Sequence, residues 1–598
     1  MCGIIGYVGN EDAVPIIVDG LKKLEYRGYD SAGIAVLEKS GFGVIKQKGR
    51  LVALEERLDD RTLSGSMGIG HTRWATHGEP SDENAHPHVG SRGKIAVVHN
   101  GIIENYAALK ERLQSKGISF ASQTDSEVIP QLAEYYYNGD LLDTVIRVSN
   151  ALEGSYALGF MCMDDPETLI AIKKDNPLIV GVSDHGHFIA SDVPAVLKHT
   201  KKVYYLGDKE IAVLKGDSVL FFNQDKEPIQ KTIETVTWSI ESAEKGGYPH
   251  FMIKEIMEQP KILRDTIQSN IGLHLKGIDI TSFNKIVITA CGSAYNAGVV
   301  AKYVFERLCR ISVEVELASE FRYKDAIVDE KTLVILVSQS GETADTIAAM
   351  REAKRKGAVT LSIVNVVGST IANEADFCLF TAAGPEIAVA TTKAFSAQLV
   401  VLYMLAIRFA VDLGKLSQNA EQELLAEIKV LPDKIASVLE QIDGIQKYAA
   451  GCVGYKSIFF IGRNIDYAIS LEGSLKLKEI SYIHSEAYAA GELKHGPIAL
   501  IEDNTLVVAI ANCKDLYSKI MSNVEQVISR GAKVLLLGNI VDSKPTDKMS
   551  FINLPDCNEL FSPSLSVVVL QLFSYYVAAN KGLDIDKPRN LAKSVTVE

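Results

Sequence analysis

Six short apolar runs in the second half of the chain constrain its fold more than any other feature. They lie at 285–290, 332–337, 358–364, 457–461, 505–510 and 532–537. These runs are rich in Val, Ile and Leu without polar alternation, and amphipathic helical segments separate them. Strands covered by helices on both faces have this composition, so the pattern predicts parallel, helix-covered sheets.

This half of the chain also repeats itself. The run at 332–337 is followed by a helical segment ending in Arg-Lys-Gly and by a strand reaching Asn365. The run at 505–510 is followed by a helical segment ending in Ser-Arg-Gly and by a strand reaching Asn539. Duplication of one doubly wound α/β domain is the simplest explanation.

The first third of the chain has a different pattern, with many short strand-like runs and few helices. Strands are predicted at 2–8, 33–37, 67–71, 95–99, 155–162 and 168–173. Helices are predicted at 13–26, 105–116 and 126–137. Such a mixture favours stacked sheets flanked by helices, an α+β layer arrangement.

A chain of 598 residues that is 47% hydrophobic can form several domains, each with its own core. The changes of pattern predict a division into five segments. These are an N-terminal domain at 2–217, a charged and Gly-containing linker at 218–247, α/β domains at 248–420 and 421–587, and a C-terminal tail at 588–598.

Composition argues against several functions. The net charge is −13 and no run of Lys or Arg occurs, which disfavours nucleic acid or an anionic membrane as partner. The apolar stretch 394–413 is interrupted by Gln398 and Arg408, so we interpret it as a core or interface helix. The eight cysteines form no Cys-x-x-Cys motif, which predicts neither disulfides nor a zinc site. With no signal peptide before Cys2, a reducing, cytoplasmic location is expected.

Cys2 is a candidate nucleophile because of its position. Removal of Met1 would place a thiol and a free α-amine on one residue. An α-amine has a pKa of about 7.7 to 8.0, so part of it is uncharged near neutrality and can accept the thiol proton. Alone, a Cys near an N-terminus is more often a small apolar residue of a first strand.

Three polar clusters at predicted strand ends strengthen the catalytic interpretation. They are Arg-Gly-Tyr-Asp-Ser-Ala-Gly at 27–33, His-Thr-Arg-Trp-Ala-Thr-His-Gly at 71–78 and His-Asn-Gly-Ile-Ile-Glu-Asn at 99–105. With the N-terminal Cys-Gly-Ile, they resemble the glutaminase domain of the N-terminal-nucleophile amidotransferases, a fold of four α+β layers.

This resemblance implies a role for each matching residue. Cys2 would attack the side-chain amide of glutamine, and Asn100 and Gly101 would form the oxyanion hole. Arg73 would bind the α-carboxylate of glutamine and Asp125 its α-amine. The substrate-binding residues would also include Trp74, Thr76 and His77. Trp74 would gate a passage for ammonia.

A second candidate site follows two neighbouring strands of the first α/β domain. Ser-Gln-Ser-Gly-Glu-Thr at 338–343 and Cys-Gly-Ser at 291–293 place hydroxyls and backbone N–H groups at helix starts, where anions bind. The second copy has Ala-Asn-Cys-Lys-Asp-Leu at 511–516 instead. Only the first copy is therefore predicted to bind phosphate.

The second copy carries candidate catalytic groups. Glu472, Lys476 and Glu479 recur at helical spacing and should share one face. Polar residues crowd 484–497, and the tail reads Pro-Arg-Asn-Leu-Ala-Lys-Ser-Val-Thr-Val-Glu. Together with the phosphate loops, these motifs resemble the glutamine:fructose-6-phosphate amidotransferases over the full length.

The resemblance implies a homodimer that acts on L-glutamine and D-fructose 6-phosphate without metal or cofactor. His495 would assist ring opening, Lys593 would hold the open ketone as a Schiff base, and Glu479 would move a proton between C1 and C2, tuned by Lys476. The residues implied in sugar-phosphate binding are Ser293, Ser338, Gln339, Ser340, Thr343, Val389 and Ala592. One departure is Ala294, where the family often has Ser.

Two other interpretations remain open at this point. A different Cys-dependent amidotransferase, acting on phosphoribosyl pyrophosphate, would need an acidic pyrophosphate-binding strand end, which the second half lacks. A sugar-phosphate-sensing regulatory protein could use the same two α/β domains, but it would need neither Cys2 nor Glu479 with Lys593.

Overall fold

The structure is a computed structural model that describes residues 2–236, 244–272, 277–539 and 545–596. The chain forms two compact units, described separately below. The first is Met1–Ala243 with Ala592–Glu598, and the second is Glu244–Leu591. Met1, part of the predicted linker (237–243) and the last two residues of the predicted tail lie outside the described residues.

Two antiparallel sheets form the centre of the first unit. Their strands are β1 (Gly3–Gly9), β2 (Ser31–Glu38), β3 (Gly41–Lys48), β4 (Met67–Arg73), β5 (His88–Val89), β6 (Ile95–Ile103), β7 (Gly154–Cys162), β8 (Asp165–Lys174), β9 (Ile179–Ser183), β10 (Gly186–Ala190), β11 (Lys202–Tyr205), β12 (Ile211–Leu214), β13 (Val219–Phe222) and β14 (Glu234–Thr235). The orders are β14-β11-β9-β10-β1-β4-β2-β3 and β13-β12-β8-β7-β6-β5.

Helices cover the outer face of each sheet. They are α1 (Ala13–Leu24), α2 (Leu51–Asp60), α3 (Tyr106–Gln114), α4 (Val128–Tyr136) and α5 (Leu141–Ala151). Because successive strand residues point to opposite faces, Ile4 of β1 packs between the sheets with Ile69 and Val98, whereas Ile5 packs under α1 and α2. The order helix, sheet, sheet, helix confirms the predicted four-layer α+β fold.

The predicted linker at 218–247 differs from the structure at its beginning. Val219–Phe222 pairs with β12, and Glu234–Thr235 pairs with β11. The charged, Gly-containing sequence obscured these strands because both are short and lie at sheet edges. Within the predicted tail, Thr596 Oγ1 donates to Asn176 Oδ1 at 2.9 Å, and both residues belong to the first unit.

The second unit contains two parallel five-stranded sheets. Their strands are β15 (Lys285–Ala290), β16 (Ser312–Leu317), β17 (Thr332–Ser338), β18 (Val359–Val364), β19 (Phe377–Phe380), β20 (Ser457–Gly462), β21 (His484–Ala489), β22 (Leu506–Ile510), β23 (Lys533–Gly538) and β24 (Met549–Asn553). The orders are β16-β15-β17-β18-β19 and β21-β20-β22-β23-β24. Both have the doubly wound order 2-1-3-4-5, as the repeat predicts.

The helices of this unit are α6 (Phe251–Met257), α7 (Gln259–Asn270), α8 (Gly292–Cys309), α9 (Ala318–Phe321), α10 (Ala344–Arg355), α11 (Thr370–Glu374), α12 (Lys393–Asp412), α13 (Gln418–Leu439), α14 (Ile442–Ala450), α15 (Ile465–Ser481), α16 (Tyr517–Ile528) and α17 (Pro563–Asn580). Residues of α8, α12, α13, α15 and α17 join one face of each sheet in a single core. The two copies therefore share a helical layer, and the boundary predicted at residue 420 falls within α13.

One helix, α12, is long and apolar enough to cross a membrane by length and composition alone. Nearly all of its residues are buried inside the second unit, where it packs against α8 and α7. A helix that is apolar all round and enclosed by protein is a core helix. This agrees with the interpretation of the stretch 394–413.

Candidate active site

Cys2 lies immediately before β1, at the N-terminal end of a central strand of the larger sheet. The backbone N–H of Trp74 donates to its Sγ at 3.4 Å, and Sγ lies 3.6 Å from the Trp74 carbonyl oxygen. Burial raises the pKa of the Cys2 thiol, while the Trp74 N–H and the charge of Arg73 oppose that rise. The thiol is therefore fixed in place, and its activation requires a proton acceptor.

The predicted oxyanion-hole residues stand at the end of β6 beside Cys2. The Asn100 side chain is buried, and its Nδ2 donates to the Cys2 carbonyl oxygen at 2.9 Å. Gly101 has φ +126°, and a Cβ there would lie 2.0 Å from the Ser155 carbonyl oxygen. Only glycine fits this position, because any side chain would push β6 away from β7.

The buried guanidinium of Arg73 is held by a loop at the end of β4. Its Nη2 donates to the carbonyl oxygens of His77 and Gly78, the latter at 3.0 Å, and its Nη1 donates to Glu79 at 3.5 Å. Burial lowers its pKa, but a guanidinium remains charged at neutral pH. A fixed cation near a nucleophile is suited to hold a carboxylate.

Three of the remaining predicted glutamine-binding residues belong to this loop, and the fourth, Asp125, bonds to β6. Asp125 is buried, and its Oδ2 accepts the backbone N–H of Ile103 at 2.8 Å. Trp74 and His77 are partly buried and Thr76 is exposed. The structure thus brings Cys2, Asn100, Gly101 and Arg73 together near the ends of β1, β4 and β6, and Asp125 is hydrogen-bonded to the end of β6.

Two residues without a predicted role also contact this site. Arg27 Nε donates to the Cys2 carbonyl oxygen at 3.4 Å, while its Nη1 pairs with Asp192 at 2.8 Å. His71 Nε2 lies 3.1 Å from Asn100 Oδ1. Both residues belong to the polar clusters noted in the sequence, but nothing in the residue types told which cluster members face Cys2.

The predicted phosphate loops meet at the topological switch point of the first parallel sheet. β15 and β17 are adjacent, so the loops that leave their carboxyl ends open on the same crevice. Ligands bind at this point in doubly wound sheets. The loop after β17 leads into α10 and the loop after β15 into α8, so two helix N-termini flank the crevice.

Internal hydrogen bonds preform the loop 338–343. Ser338 Oγ accepts the N–H of Gly341 at 3.0 Å and lies 3.3 Å from Thr343 Oγ1. Ser340 Oγ accepts the N–H of Glu342 at 3.1 Å, and Gln339 is partly buried. The buried Glu342 carboxylate then anchors the loop to Thr370 through two hydrogen bonds, at 2.7 and 2.9 Å. The predicted residues of this loop therefore lie together.

Ser293 is engaged elsewhere. Its hydroxyl donates to Glu472 at 2.9 Å, and Asn296 Nδ2 donates to the other oxygen of that carboxylate at 2.8 Å. A hydroxyl has one proton, so the Ser293 O–H is not directed at a phosphate in this structure. The Ser293 hydroxyl links α8 to α15 in this structure, and its role in phosphate binding stays a prediction.

The three charged residues of α15 do share one face, as their spacing predicts. Lys476 Nζ lies 2.5 Å from Glu479 and 3.5 Å from Glu472. Burial favours a neutral amine, but the two carboxylates outweigh it and raise the pKa of Lys476. Burial raises the pKa of Glu472 to about 6. Glu479 is the least buried of the three, which leaves it the carboxylate available to a ligand.

The second copy fills its own switch point. Asp466 Oδ2 accepts the N–H groups of Asn512 and Cys513 at 2.8 and 3.2 Å, and Oδ1 accepts Asn512 Nδ2 at 2.9 Å. Asp466 is the fourth residue after β20, and Ala294 is the fourth after β15. Where the first copy has the small residue Ala294, the second copy thus has the carboxylate of Asp466. This carboxylate accepts the loop N–H groups that would otherwise face a bound anion.

The other predicted residues are more dispersed. Buried Val389 donates its N–H to the Asp586 carbonyl oxygen at 3.0 Å. His495 ends a 3-10 helix after β21, is exposed, and makes no side-chain hydrogen bond within the described residues. Ala592 and Lys593 are partly buried and belong to the first unit. Across the described ranges, no group of three or more His, Cys, Asp or Glu residues could hold a metal ion.

Ala294 offers a direct test of the first switch point. Ala294→Ser should lower the Michaelis constant for the sugar phosphate by an amount equivalent to about 0.5 to 1.5 kcal/mol, the net value of one hydrogen bond. Ala294→Asp should abolish binding instead, because it places a carboxylate where Asp466 stands in the second copy. Titration of both variants with fructose 6-phosphate distinguishes these effects, and equal affinities would remove Ala294 from the site.

Family models match both halves of the chain. A glutamine amidotransferase domain matches residues 71–198, and a SIS domain matches twice, at 279–408 and 454–581. Fold and site thus define an N-terminal-nucleophile amidotransferase joined to two sugar-isomerase domains.

Curated relatives match the chain from end to end. Glutamine–fructose-6-phosphate aminotransferase (isomerizing) of Clostridium tetani is 54% identical and that of Clostridium perfringens 53%, each over 100% of both chains. A solved C-terminal domain of glucosamine-fructose-6-phosphate aminotransferase from Francisella tularensis is 37% identical, with a TM-score of 0.55 over 57% of this chain and 99% of its own. The chain belongs to the glutamine–fructose-6-phosphate aminotransferase (isomerizing) family.

Proposed function

We propose that this protein transfers the amide nitrogen of L-glutamine to D-fructose 6-phosphate and forms D-glucosamine 6-phosphate and L-glutamate. The observation that carries this proposal is 53–54% identity over the full length to curated relatives of that name, in a chain that also matches the glutamine amidotransferase and SIS family models. The product is the first intermediate of amino-sugar biosynthesis. A sensor would need neither the glutaminase residues nor the buried charges of α15.

The first half-reaction takes place at Cys2. The thiol gives its proton to the α-amine freed by loss of Met1 and attacks the glutamine amide carbon. Asn100 and Gly101 stabilise the resulting oxyanion, while Arg73 and Asp125 hold the α-carboxylate and α-amine. Ammonia leaves, and water hydrolyses the thioester to glutamate. Support comes from the contacts among Cys2, Trp74 and Asn100.

The second half-reaction takes place at the first switch point. The loop 338–343 binds the phosphate, with the backbone N–H of Ala294 and contributions from Val389 and Ala592. His495 opens the ring, Lys593 forms an imine with the C2 ketone, and ammonia displaces the lysine. Glu479, paired with Lys476, then moves a proton from C1 to C2.

We further propose a cytoplasmic homodimer. The eight cysteines are all free, which suits a reducing compartment. The exposed position of His495, a residue assigned to ring opening, is consistent with a site completed by a second copy. Light scattering of the purified protein would measure the mass.

The reaction itself is tested by measuring glutamate and glucosamine 6-phosphate. Purified protein should hydrolyse glutamine faster when fructose 6-phosphate is present and should form both products. Stimulation by phosphoribosyl pyrophosphate instead would indicate the other amidotransferase class. No hydrolysis under any condition would indicate the regulatory protein.

Trp74 is proposed to gate the passage of neutral ammonia. Trp74→Ala should keep glutamine hydrolysis, because Trp74 contacts Cys2 through its main chain. Glucosamine 6-phosphate formed per glutamine consumed should fall below one. If Trp74 only packs in a core, its loss should instead cost about 3 to 5 kcal/mol of stability. Both products and the melting temperature are measured, and a retained one-to-one ratio with a large fall in melting temperature rejects the gate.

A further inference from the structure

Four buried histidines lie behind the glutaminase site, none of which is assigned a role above. They are His71, His86, His88 and His99. The rings of His71 and His86 stack with centroids 4.1 Å apart, and those of His86 and His88 meet edge to face at 4.6 Å. Among the four, His71 is the one whose ring nitrogen reaches the Asn100 side chain.

Geometry fixes the tautomer of His71. Its Nε2 lies 2.9 Å from the His99 carbonyl oxygen, an atom that can only accept a hydrogen bond. Nε2 must therefore carry the proton, and the same N–H also points to Asn100 Oδ1 at 3.1 Å. Burial lowers the pKa of His71 to about 3, so the ring is neutral at physiological pH and Nδ1 is unprotonated.

This N–H determines which way the Asn100 amide faces. With Oδ1 against His71, the Nδ2 group points to the Cys2 carbonyl oxygen and donates to it at 2.9 Å. If the amide were flipped, its NH₂ group would face the His71 N–H, donor against donor. Its oxygen would then face the Cys2 carbonyl oxygen, acceptor against acceptor. In a buried site neither mismatch is relieved by water.

We propose that His71 is a positioning residue for glutamine hydrolysis, which orients the Asn100 amide so that its N–H group faces the oxyanion formed at Cys2. This inference depends on the proposed glutaminase function. The His71 N–H is directed at the His99 carbonyl oxygen and Asn100 Oδ1, so His71 would act on the reaction through Asn100. Of the other three histidines, His86 stacks on the His71 ring and His99 accepts its N–H through the main-chain carbonyl oxygen.

The test compares His71→Phe, which keeps a planar ring but lacks the donor, with His71→Gln, whose amide N–H can replace it. His71→Phe should lower kcat for glutamine hydrolysis about 10- to 100-fold, below the roughly 10²- to 10³-fold loss typical of removing an oxyanion donor outright. The KM for glutamine should change less than about threefold, since the groups that bind the substrate remain. His71→Gln should recover most of the kcat.

A matched control separates positioning from packing. His88→Phe makes the same change in the same buried cluster, but His88 Nε2 bonds to Thr124 Oγ1 at 3.2 Å and not to Asn100. It should leave kcat within about threefold of the unmodified protein. An equal loss of kcat in both variants would reduce His71 to a packing residue.

A double-mutant cycle with Asn100→Ala gives the decisive readout. If His71 acts through Asn100, His71→Phe should cause no further fall of kcat in the Asn100→Ala protein. A further fall as large as that in the native background overturns the inference. Should His71→Phe not fold, His71→Asn replaces it: its amide is too short to reach, so it should lose the kcat that His71→Gln keeps, and equal rates in the two overturn the inference.

Failure of the proposed function gives a different result. If the unmodified protein hydrolyses no glutamine, the glutaminase proposal fails. If it does so and His71→Phe retains full kcat, only the role of His71 fails. Glucosamine 6-phosphate formation from ammonium chloride, which bypasses Cys2, verifies in each variant that the sugar half-reaction is intact.

Discussion

Replacement of Cys2 by alanine should abolish glutamine hydrolysis, with kcat falling by up to roughly 10⁶-fold, as happens when a covalent nucleophile is removed. No other thiol can replace it, because only Cys2 would share a residue with a free α-amine and lie beside Asn100. Glutamate release from labelled glutamine measures the effect. Synthesis from added ammonium should persist slowly, because free ammonia does not need the Cys2 thiol.

Cys378→Ala is the matched control for this change. Cys378 is another partly buried thiol, and it lies on β19 in the other unit. Its loss should leave both half-reactions within about twofold of the unmodified protein, since surface and partly buried changes away from a site have small effects. Undiminished hydrolysis in purified Cys2→Ala would disprove the assignment of the nucleophile.

Lys593→Ala should eliminate amino-sugar formation by at least about 10³-fold, as loss of a covalent catalyst does, because an imine requires a primary amine. Glutamine hydrolysis without sugar should remain, since the residues around Cys2 are unchanged. Borohydride reduces an imine to a stable secondary amine, so treatment with fructose 6-phosphate should attach the sugar to Lys593. Peptide mass spectrometry locates the adduct.

Two other lysines serve as internal controls for this trapping. Lys476 is fully buried between Glu472 and Glu479, and Lys393 is buried and bonded to Glu258 at 2.7 Å. Charged ammonium groups held in ion pairs are poor nucleophiles, so neither should be labelled. A sugar adduct on either of them, with Lys593 unmodified, would transfer the imine role to that residue.

The strands that sequence patterns predicted in the second unit are those with a neighbour on each side. All six apolar runs correspond to inner strands of the two parallel sheets. The four edge strands were missed, for example Ser312–Leu317 and His484–Ala489. Edge strands are only partly covered, so polar residues can alternate along them, as in Ser312–Leu317, and the apolar signal is lost. Phe377–Phe380 is apolar but only four residues long, which is too short for a clear signal.

Local motifs indicated the site residues. Which side chains these residues contact could be learned only from the fold. The spacing of Glu472, Lys476 and Glu479 predicted one shared face because helical periodicity is local. The contact of Ser293 with Glu472 joins residues 179 positions apart. His71 and Asn100 come together only because β4 and β6 lie in facing sheets. No pattern within a single sequence indicates that these two residues are close in space.

Because of Asp466, the stability of the two copies should depend differently on the concentration of sugar phosphate. A ligand that binds only the folded state raises the free energy of unfolding in proportion to the logarithm of its concentration. The first copy has an open switch point and should gain stability from sugar phosphate in this way. The second copy carries its anion as a covalent part of α15, at a fixed and saturating effective concentration. The contribution of these Asp466 contacts to the free energy of unfolding is therefore independent of the sugar-phosphate concentration.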